Sequence, residues 1–503
     1  MSVFSFFVGN MRLAWGKRGN LSGEALAIPR DAYYNIVSIA DDFYEEVPFM
    51  SLNIENYIKP GLRAHLVGIG GVSMSPLGEV LHGKGVVISG SDMNESETVR
   101  HLRELGIPVA IGHLPESVEG ADCVIRTAAV HDDNPEIAAA RRLGIPVFER
   151  AEAWGAIMRH YKNALCVAGT HGKTTTTSMC THIFLAAGLD PSVMLGGVLP
   201  AMGAGHRVGE GDTIILESCE YCNSFHAFAP TVAIILNVDA DHLDFFKDLE
   251  DVEQSFRRFA QLVPDCGCVV ADRDDPNTMD ALRGIDRPMI TFGIEEGDVH
   301  AANLEWDHGF ACFDLICKGE NVVRIELSVP GEHNVRNALA AAAAALELKV
   351  PARAIADGLK AFRGAGRRFE RKGEFNGAAV YDDYAHHPQE LEALLTTMQN
   401  LGYDRVICAF QPHTYTRTKE LFAGFVEVLK LPDQVILAEI FAARETDTLG
   451  ISSKNLVEEI PGAEYCATLA DVTKRLAEIA RPGDLILTVG AGDIYKAGEI
   501  VLK

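Results

Sequence analysis

The run Leu165-Cys166-Val167-Ala168-Gly169-Thr170-His171-Gly172-Lys173-Thr174-Thr175-Thr176-Thr177-Ser178 leaves this chain few ways to fold. Its apolar half reads as a buried parallel strand. Its second half is a glycine-bracketed turn followed by hydroxyl residues that open a helix. Met179, Ile183, Phe184 and Ala187 then recur at helical spacing, and Gly188 is placed to stop the helix. A strand, a glycine-rich turn and a helix N-terminus form an anion site, because unpaired backbone N–H groups and the positive end of the macrodipole point into the turn. Lys173 adds a mobile cation for the outer phosphates of a nucleotide, and Thr174 a hydroxyl for a magnesium ion. The strict pattern G-x-x-x-x-G-K-[ST] would need glycine at Val167, so the loop is the shorter G-T-H-G-K-T. The strand before it and the helix after it argue against a chance Gly-Lys-Thr in a surface loop. A nucleotide-triphosphate site is expected.

One such unit cannot account for 503 residues, which call for roughly three domains because single cores stop growing beyond about 250–300 residues. The first unit begins with the strand Ala64-His65-Leu66-Val67, followed by Gly68-Ile69-Gly70-Gly71-Val72-Ser73-Met74. This is close to G-x-G-x-x-G, with Ser73 as the third small residue. A second strand, Val86 to Ser89, leads to Gly90-Ser91-Asp92, where a carboxylate about 20 residues on would meet a ribose hydroxyl. Apolar runs at Val109–Ile111, Cys123–Ile125 and Pro146–Phe148 alternate with helical segments, which predicts a doubly wound parallel sheet. Taken alone, this unit suggests a dinucleotide such as NAD.

The second unit starts near Lys162 with the phosphate loop. The strand Thr213–Leu216 runs into Glu217-Ser218-Cys219-Glu220, and Val232–Leu236 into Asn237-Val238-Asp239-Ala240-Asp241-His242-Leu243-Asp244. Carboxylates at the C-terminal ends of parallel strands beside a phosphate loop are where metal ligands are wanted. A β-rich part through about Val329 follows. Then Gly331-Glu332-His333-Asn334-Val335-Arg336-Asn337 precedes a nearly all-alanine helix, Ala338 to Leu346, and this polar cluster is placed to touch a base or sugar. The third unit opens at the hinge-like Gly364-Ala365-Gly366 before Arg367 and Arg368. Its strands end at Asp382-Asp383-Tyr384-Ala385-His386-His387-Pro388 and at Gln411-Pro412-His413-Thr414-Tyr415-Thr416-Arg417, and later strands are Gln434–Ala438 and Leu485–Val489. Arg417 stands just past a strand end, where substrate contact is expected at least as much as a plain surface charge.

Charge and cysteines remove other classes. A formal net charge of −25 argues against non-specific nucleic-acid binding. Eleven scattered cysteines are an odd number, which argues against a disulfide framework, and Cys219-x-x-Cys222 has metal-ligand spacing but no second pair to complete a structural zinc site. That cysteine usage fits a reduced cytoplasmic compartment, and no run of eighteen apolar residues exists to form a transmembrane helix. Residues 1–49 carry no sustained period. Met50 stands just before the first strong strand, so 1–49 are expected to be dispensable.

The ordered set G-T-H-G-K-T, Glu220, D-H-L-D, H-N-x-x-N, R-R-F and D-D-Y-A-H-H-P resembles the Mur ligase family, over about residues 60–503. G-I-G-G-V-S-M-S, Q-P-H-T-Y-T-R-T and G-A-G-D-I look like the members that use L-alanine. The resemblance implies an α/β protein of three domains. These are a Rossmann-like one for a UDP-sugar at 60–161 (after an extension and lead-in, 1–59), a central P-loop ATPase with a mostly parallel sheet at 162–365, and a Rossmann-like amino-acid domain at 366–503. It implies ATP and Mg2+ as cofactors, UDP-N-acetylmuramate and L-alanine as substrates, no nucleic-acid or membrane partner, and a monomer or homodimer. Gly169, Thr170, His171, Gly172, Lys173, Thr174 and Thr175 would hold the ATP phosphates, with Thr174 and Glu220 on a first magnesium ion and His242 on a second. His333, Asn334 and Asn337 would face adenine, while Arg367 or Arg368 and Asp382 or Asp383 would meet phosphate and ribose. Gly68, Gly70, Gly71 and Ser73, with Ser91 and Asp92, would receive the UDP-sugar, which displaces the NAD reading. His386 and Arg417 would lie near the sugar carboxylate and the incoming alanine, with His386 as an acceptor for the amine's proton.

Three departures from the family pattern stand out. Glu220-Tyr221-Cys222 replaces Glu-Ser-Asp, Thr414 stands where others carry arginine, and Lys247 is too close to the D-H-x-D motif to match the modified lysine of related ligases. Competing readings are a ligase that recycles a tripeptide onto the same sugar, an NAD-dependent dehydrogenase, and a non-catalytic nucleotide-binding regulator.

Overall fold

Apolar runs fix three separate sheets in a computed structural model that describes residues 53–503 other than 128, 244 and 444. The expectations for residues 1–49 and Met50, and for Asp244 of the D-H-L-D motif, lie outside the described residues. The first sheet holds β1 (Arg63–Val67), β2 (Val87–Asp92), β3 (Val109–Ile111), β4 (Cys123–Arg126) and β5 (Val147–Glu149), all parallel in the order β3-β2-β1-β4-β5. Strand order reverses at β1, so the Gly68 loop leaves the sheet where open α/β sheets bind ligands.

The second sheet has ten strands: β6 (Asn163–Ala168), β7 (Ser192–Leu199), β8 (Ala204–Arg207), β9 (Thr213–Glu217), β10 (Val232–Ile235), β11 (Cys268–Asp272), β12 (Met289–Gly293), β13 (Val299–Asp307), β14 (Phe310–Cys317) and β15 (Glu320–Pro330). Their order is β15-β14-β13-β12-β11-β10-β6-β9-β7-β8, with parallel pairing from β13 to β7. β13–β15 form an antiparallel meander at one edge and β7–β8 a hairpin at the other. β6 lies between β10 and β9, so the phosphate loop emerges at the reversal point of this sheet.

The helix after the loop, Lys173–Ala186, carries a run of hydroxyl residues that would weaken an exposed helix. Here Thr177, Ser178 and Thr181 donate to the carbonyls four residues back, at 2.8, 2.7 and 2.8 Å, which satisfies them inside the core. Against it packs the alanine helix, Glu332–Glu347, with Ala338 and Ala340 to Ala345 fully buried. That helix starts six residues earlier than the alanines suggest, so His333, Asn334 and Asn337 are its first two turns and not a loop before it. Gly331, at φ +97°, makes the turn into it.

The third sheet contains β16 (Glu370–Phe375), β17 (Ala378–Asp383), β18 (Arg405–Phe410), β19 (Gln434–Ala438), β20 (Glu464–Cys466) and β21 (Asp484–Val489), in the order β16-β17-β21-β18-β19-β20. Only the edge strand β16 is antiparallel to its neighbour.

The lobes touch through specific contacts. Glu79 of the first accepts from His206 of the second at 2.9 Å, and His171 of the phosphate loop meets Glu390 and Gln389 of the third at 3.2 and 3.1 Å. The helix Arg150–Met158 approaches the segment Tyr221–Ala227 so closely that a Cβ on Gly155 would lie 1.9 Å from the Ala227 carbonyl oxygen. Alanine normally improves a helix interior by about 1 kcal/mol over glycine. Gly155→Ala is therefore expected to do the reverse, costing about 3 kcal/mol as backbone is forced apart; the chemical-denaturation midpoint measures it.

Candidate functional site

The phosphate loop is held by its neighbours before any ligand arrives. Asn237, just past β10, clamps it, with Oδ1 accepting from the His171 N–H at 2.7 Å and Nδ2 donating to the His171 carbonyl at 3.1 Å. Gly169 (φ +144°) and Gly172 (φ +83°) make the turn, and a Cβ on Gly172 would stand 2.6 Å from Asn337 Oδ1. Lys173 Nζ donates to the carbonyls of Gly169 and Thr170 at 2.6 and 3.1 Å and pairs with Glu220 at 3.1 Å. Burial opposes its charge, but Glu220 and Glu217 more than offset that, so the ammonium stays protonated. Thr174 Oγ1 donates to the two oxygens of Glu217 at 3.0 and 2.9 Å, and Glu217 also accepts from the Gly196 N–H at 2.7 Å.

The metal-ligand expectations regroup accordingly. Thr174 faces Glu217, the last residue of β9, while Glu220 Oε1 lies 3.6 Å from His242 Nε2. Burial, with the neighbouring Glu220 charge, pushes the Cys219 thiol beside them up to about 12. Glu217 is the residue that motif matching passed over. Its signal was a carboxylate ending a strand whose register, Val167 opposite Glu217, sets it beside the loop.

Two adjoining cavities open between the second and third lobes. The larger, about 440 Å3, is lined by His171, Gly172 and Thr175 from the loop, by His333, Asn334 and Asn337, and by Arg368 and Asp383. Asn337 and Asn334 are tied to each other at 3.3 Å and Asn334 to the Pro330 carbonyl at 2.7 Å, which fixes their amides. Burial drives the His333 imidazole down to about 4, so it is neutral at pH 7. Of the two arginines and two aspartates, Arg368 and Asp383 line this cavity. Arg367 and Asp382 pair with each other at 2.9 Å inside the third lobe, and Arg367 also holds the carbonyls of Gly490 and Gly492 at 2.6 and 3.1 Å. Burial raises the Asp383 carboxyl to about 6 against the pull of Arg368.

The smaller cavity, about 240 Å3, collects Asp241 and His242 from the central lobe with His386, His413 and Arg417 from the third. It shares a wall with the first, since Asp239 and Ala385 face one cavity and Asp241 and His386 the other. Arg417 Nη2 donates to Asp241 Oδ1 at 3.2 Å. Burial would raise the Asp241 carboxyl, but His242 and Arg417 hold it well below the usual carboxylate range. His386 is driven down to about 4 by burial. Its Nδ1 faces the Tyr384 carbonyl at 3.1 Å and Glu390 at 3.4 Å, two acceptors, which assigns the hydrogen to Nδ1 and leaves Nε2 as the free acceptor.

In the first lobe, Gly68 (φ +78°), Gly70 and Gly71 turn at the end of β1, as the fingerprint predicts. Asp92 Oδ2 accepts from the Gly70 N–H and its Oδ1 from the Asn94 N–H, both at 3.0 Å, so the expected ribose ligand also braces the glycine turn. Ser91 is fully buried, and its hydroxyl donates to Glu136 at 2.6 Å and lies 3.0 Å from His113 Nδ1. Ser73 lies where the helix Met74–Gly83 begins, and its carbonyl accepts from Trp154 Nε1 at 3.3 Å.

Set beside known proteins, the chain matches three family profiles in order. Residues 63–162 match the Mur ligase family catalytic domain, 167–345 the Mur ligase middle domain and 367–492 the Mur ligase glutamate ligase domain. The UDP-N-acetylmuramate–L-alanine ligase of Caldanaerobacter subterraneus subsp. tengcongensis is 44% identical over 460 residues, covering 90% of this chain and 99% of its own. That of Lachnospira eligens is 46% identical over 453 residues, covering 88% and 98%. The crystal structure of the UDP-N-acetylmuramate–alanine ligase from Thermotoga maritima is similar at a TM-score of 0.74 and 29% identity, over 88% of this chain and 98% of that one.

Proposed function

The chain belongs to the Mur ligase family, and from that premise we propose that it uses ATP to join L-alanine to the carboxylate of UDP-N-acetylmuramate, releasing ADP and phosphate. The observation that carries this reading is the pair of cavities sharing one wall, a phosphate loop in one and Arg417 with His386 in the other.

A carboxylate is a poor acyl donor and an ammonium no nucleophile. Moving the γ-phosphoryl group to the carboxylate gives an acyl phosphate with a good leaving group, and the amine then displaces phosphate through a tetrahedral adduct. Lys173 and Arg368 neutralise the anionic oxygens that must approach one another. Asn334 and Asn337 orient the base, and Gly68, Gly70 and Gly71 receive the sugar nucleotide's diphosphate. Arg417 binds a substrate carboxylate in the smaller cavity, and His386, neutral with Nε2 open, accepts the proton that the amine loses. Contacts such as His171–Glu390 bring the third lobe over the loop, which keeps water from the acyl phosphate. Magnesium fits here by donor chemistry, because the Thr174 hydroxyl and the Glu217 carboxylate are hard oxygen donors that meet beside the loop. When bound, it supplies positive charge to the phosphate oxygens. A cytoplasmic location follows from the use of ATP and a nucleotide sugar.

Phosphate release tests the reading. It is expected to require UDP-N-acetylmuramate and L-alanine together, with none from a tripeptide acceptor and no absorbance change with NAD. Release that ignores the sugar nucleotide, or none with both substrates, overturns it. Arg417→Ala is expected to raise the KM for its carboxylate substrate about 30-fold, since a charge-assisted hydrogen bond contributes about 1.5–3 kcal/mol. Steady-state titration of each substrate against a fixed excess of the other measures this.

A further inference from the structure

Glu390 engages more groups than a helix cap needs. It is the third residue of the helix Pro388–Gln399, and its Oε2 accepts from the N–H groups of His386 and His387 at 2.9 and 3.3 Å. Those two bonds are ordinary capping. The same carboxylate also faces three cationic or titratable side chains. Oε2 lies 3.4 Å from His386 Nδ1, while Oε1 lies 3.2 Å from Nδ1 of His171 in the phosphate loop and 3.9 Å from Arg368 Nη1. One oxygen therefore works within the third lobe, and the other reaches the central one.

The carboxylate is mostly buried, so little solvent screens its charge. Burial would raise it, but His386, His171 and Arg368 hold it well below the usual carboxylate range, which keeps it ionised at neutral pH. Its effect on His386 follows from where that ring keeps its hydrogen. Nδ1 faces two acceptors, Glu390 and the Tyr384 carbonyl, so the hydrogen stays on Nδ1 and Nε2 is open. When Nε2 takes a proton, the ring becomes a cation. Burial and the charges of Arg417 and Arg368 work against that cation, and Glu390 works for it.

We propose that Glu390 is a positioning residue for the amide-forming half of the reaction, acting through His386. It fixes the ring with Nε2 open and stabilises the imidazolium that forms as the incoming amine gives up its proton. The amine's N–H bond breaks and its proton bonds His386 Nε2. The nitrogen's electron pair forms the bond to the acyl carbon, and the C–O bond to phosphate breaks with its electrons leaving on phosphate. Glu390 itself keeps its charge throughout. His171 holds Oε1 from the phosphate-loop side, so closure of the third lobe over the loop also braces the base.

This assignment rests on the ligase reading, and the test separates the two. Glu390→Gln removes the charge, while its amide oxygen still caps the helix, since glutamine is the other residue that completes a capping box. With L-alanine, the variant is expected to lose about a hundredfold in kcat, the lower end of what a general base contributes, with the KM for ATP within about threefold. Hydroxylamine, already neutral at pH 7, needs no base, so phosphate release with it in place of L-alanine should stay within about threefold of wild type. If the wild type does not accept hydroxylamine, rapid quench with L-alanine takes its place, and ADP should form in the variant at the wild-type rate, ahead of the amide. In a His386→Gln background, Glu390→Gln should cost no more than about twofold further. Glu390→Asp, which keeps the charge, should recover at least about a tenth of the wild-type rate. Far-ultraviolet circular dichroism checks that each variant folds. Equal losses with both nucleophiles, ADP and amide slowing in step, a full further loss in the His386→Gln background, or a near-normal L-alanine rate in Glu390→Gln overturns the assignment. Wild-type protein that releases no phosphate with the sugar nucleotide and either nucleophile overturns the ligase reading, and this assignment with it.

Discussion

Lys173→Ala is expected to lower ATP turnover about a thousandfold while leaving UDP-N-acetylmuramate binding within about twofold of wild type. Lys173 opens the helix after the phosphate loop, and its side chain is 14% exposed, so its ammonium acts in a poorly solvated setting where charge counts for more. Removing one preorganised charge from a transferring phosphoryl group costs about a hundred- to a thousandfold or more. A thousandfold corresponds to about 4 kcal/mol of lost transition-state stabilisation. The alanine variant also leaves the buried Glu220 without its cation, which adds repulsion toward incoming phosphate. The glycine turn at Gly68 belongs to another lobe and another sheet, and nothing about it depends on Lys173. Phosphate release measures the first effect and calorimetric titration of the sugar nucleotide the second. Turnover within tenfold of wild type would remove Lys173 from the reaction.

Such a prediction is available from sequence because a phosphate loop is a local object. The strand, the turn and the helix are contiguous, and the same holds for Gln434–Ala438, whose apolar run is β19 residue for residue. What depends on register or on neighbouring lobes is not legible in this way. The hairpin of β7 and β8 has no clear signal, because Ser192–Leu199 carries two glycines and is exposed over part of its length. Two adjacent acids at the end of β17 read alike in a linear motif, yet successive side chains on a strand face opposite sides. Asp382 therefore points inward to Arg367, and Asp383 faces the cavity with Arg368. Ser91 and Asp92 have the spacing of a ribose-binding turn, and only the structure shows Glu136 and Gly70, distant in sequence, engaging both. The alanine helix begins before its alanines because Asn334 and Asn337, poor helix formers in isolation, have their amides satisfied by Pro330, by each other and by Thr176.

The same limit hid Glu217, whose removal is the other large effect expected. Glu217 and Glu220 are three residues apart in one acidic motif, and only the pairing of β9 with β6 shows that Glu217 is the one facing Thr174. Gly196 makes room for it, since a Cβ there would lie 2.8 Å from Glu217 Oε1, and the Gly196 N–H completes the carboxylate's hydrogen bonds. A carboxylate so fixed, with its charge beside a threonine hydroxyl at the phosphate loop, matches what a magnesium ligand needs. Glu217→Ala is expected to reduce phosphate release about a thousandfold and to raise the magnesium concentration for half-maximal rate at least about a hundredfold. Glu217→Gln separates charge from shape. Its amide oxygen still accepts from Thr174 and from Gly196, so if Glu217 only braced the loop, glutamine would restore most of the activity. If the negative charge is what matters, glutamine remains at least about a hundredfold down and excess magnesium recovers little. A magnesium titration of both variants, with thermal unfolding to check folding, distinguishes the two, and a glutamine variant of near-normal rate would reduce Glu217 to a structural brace.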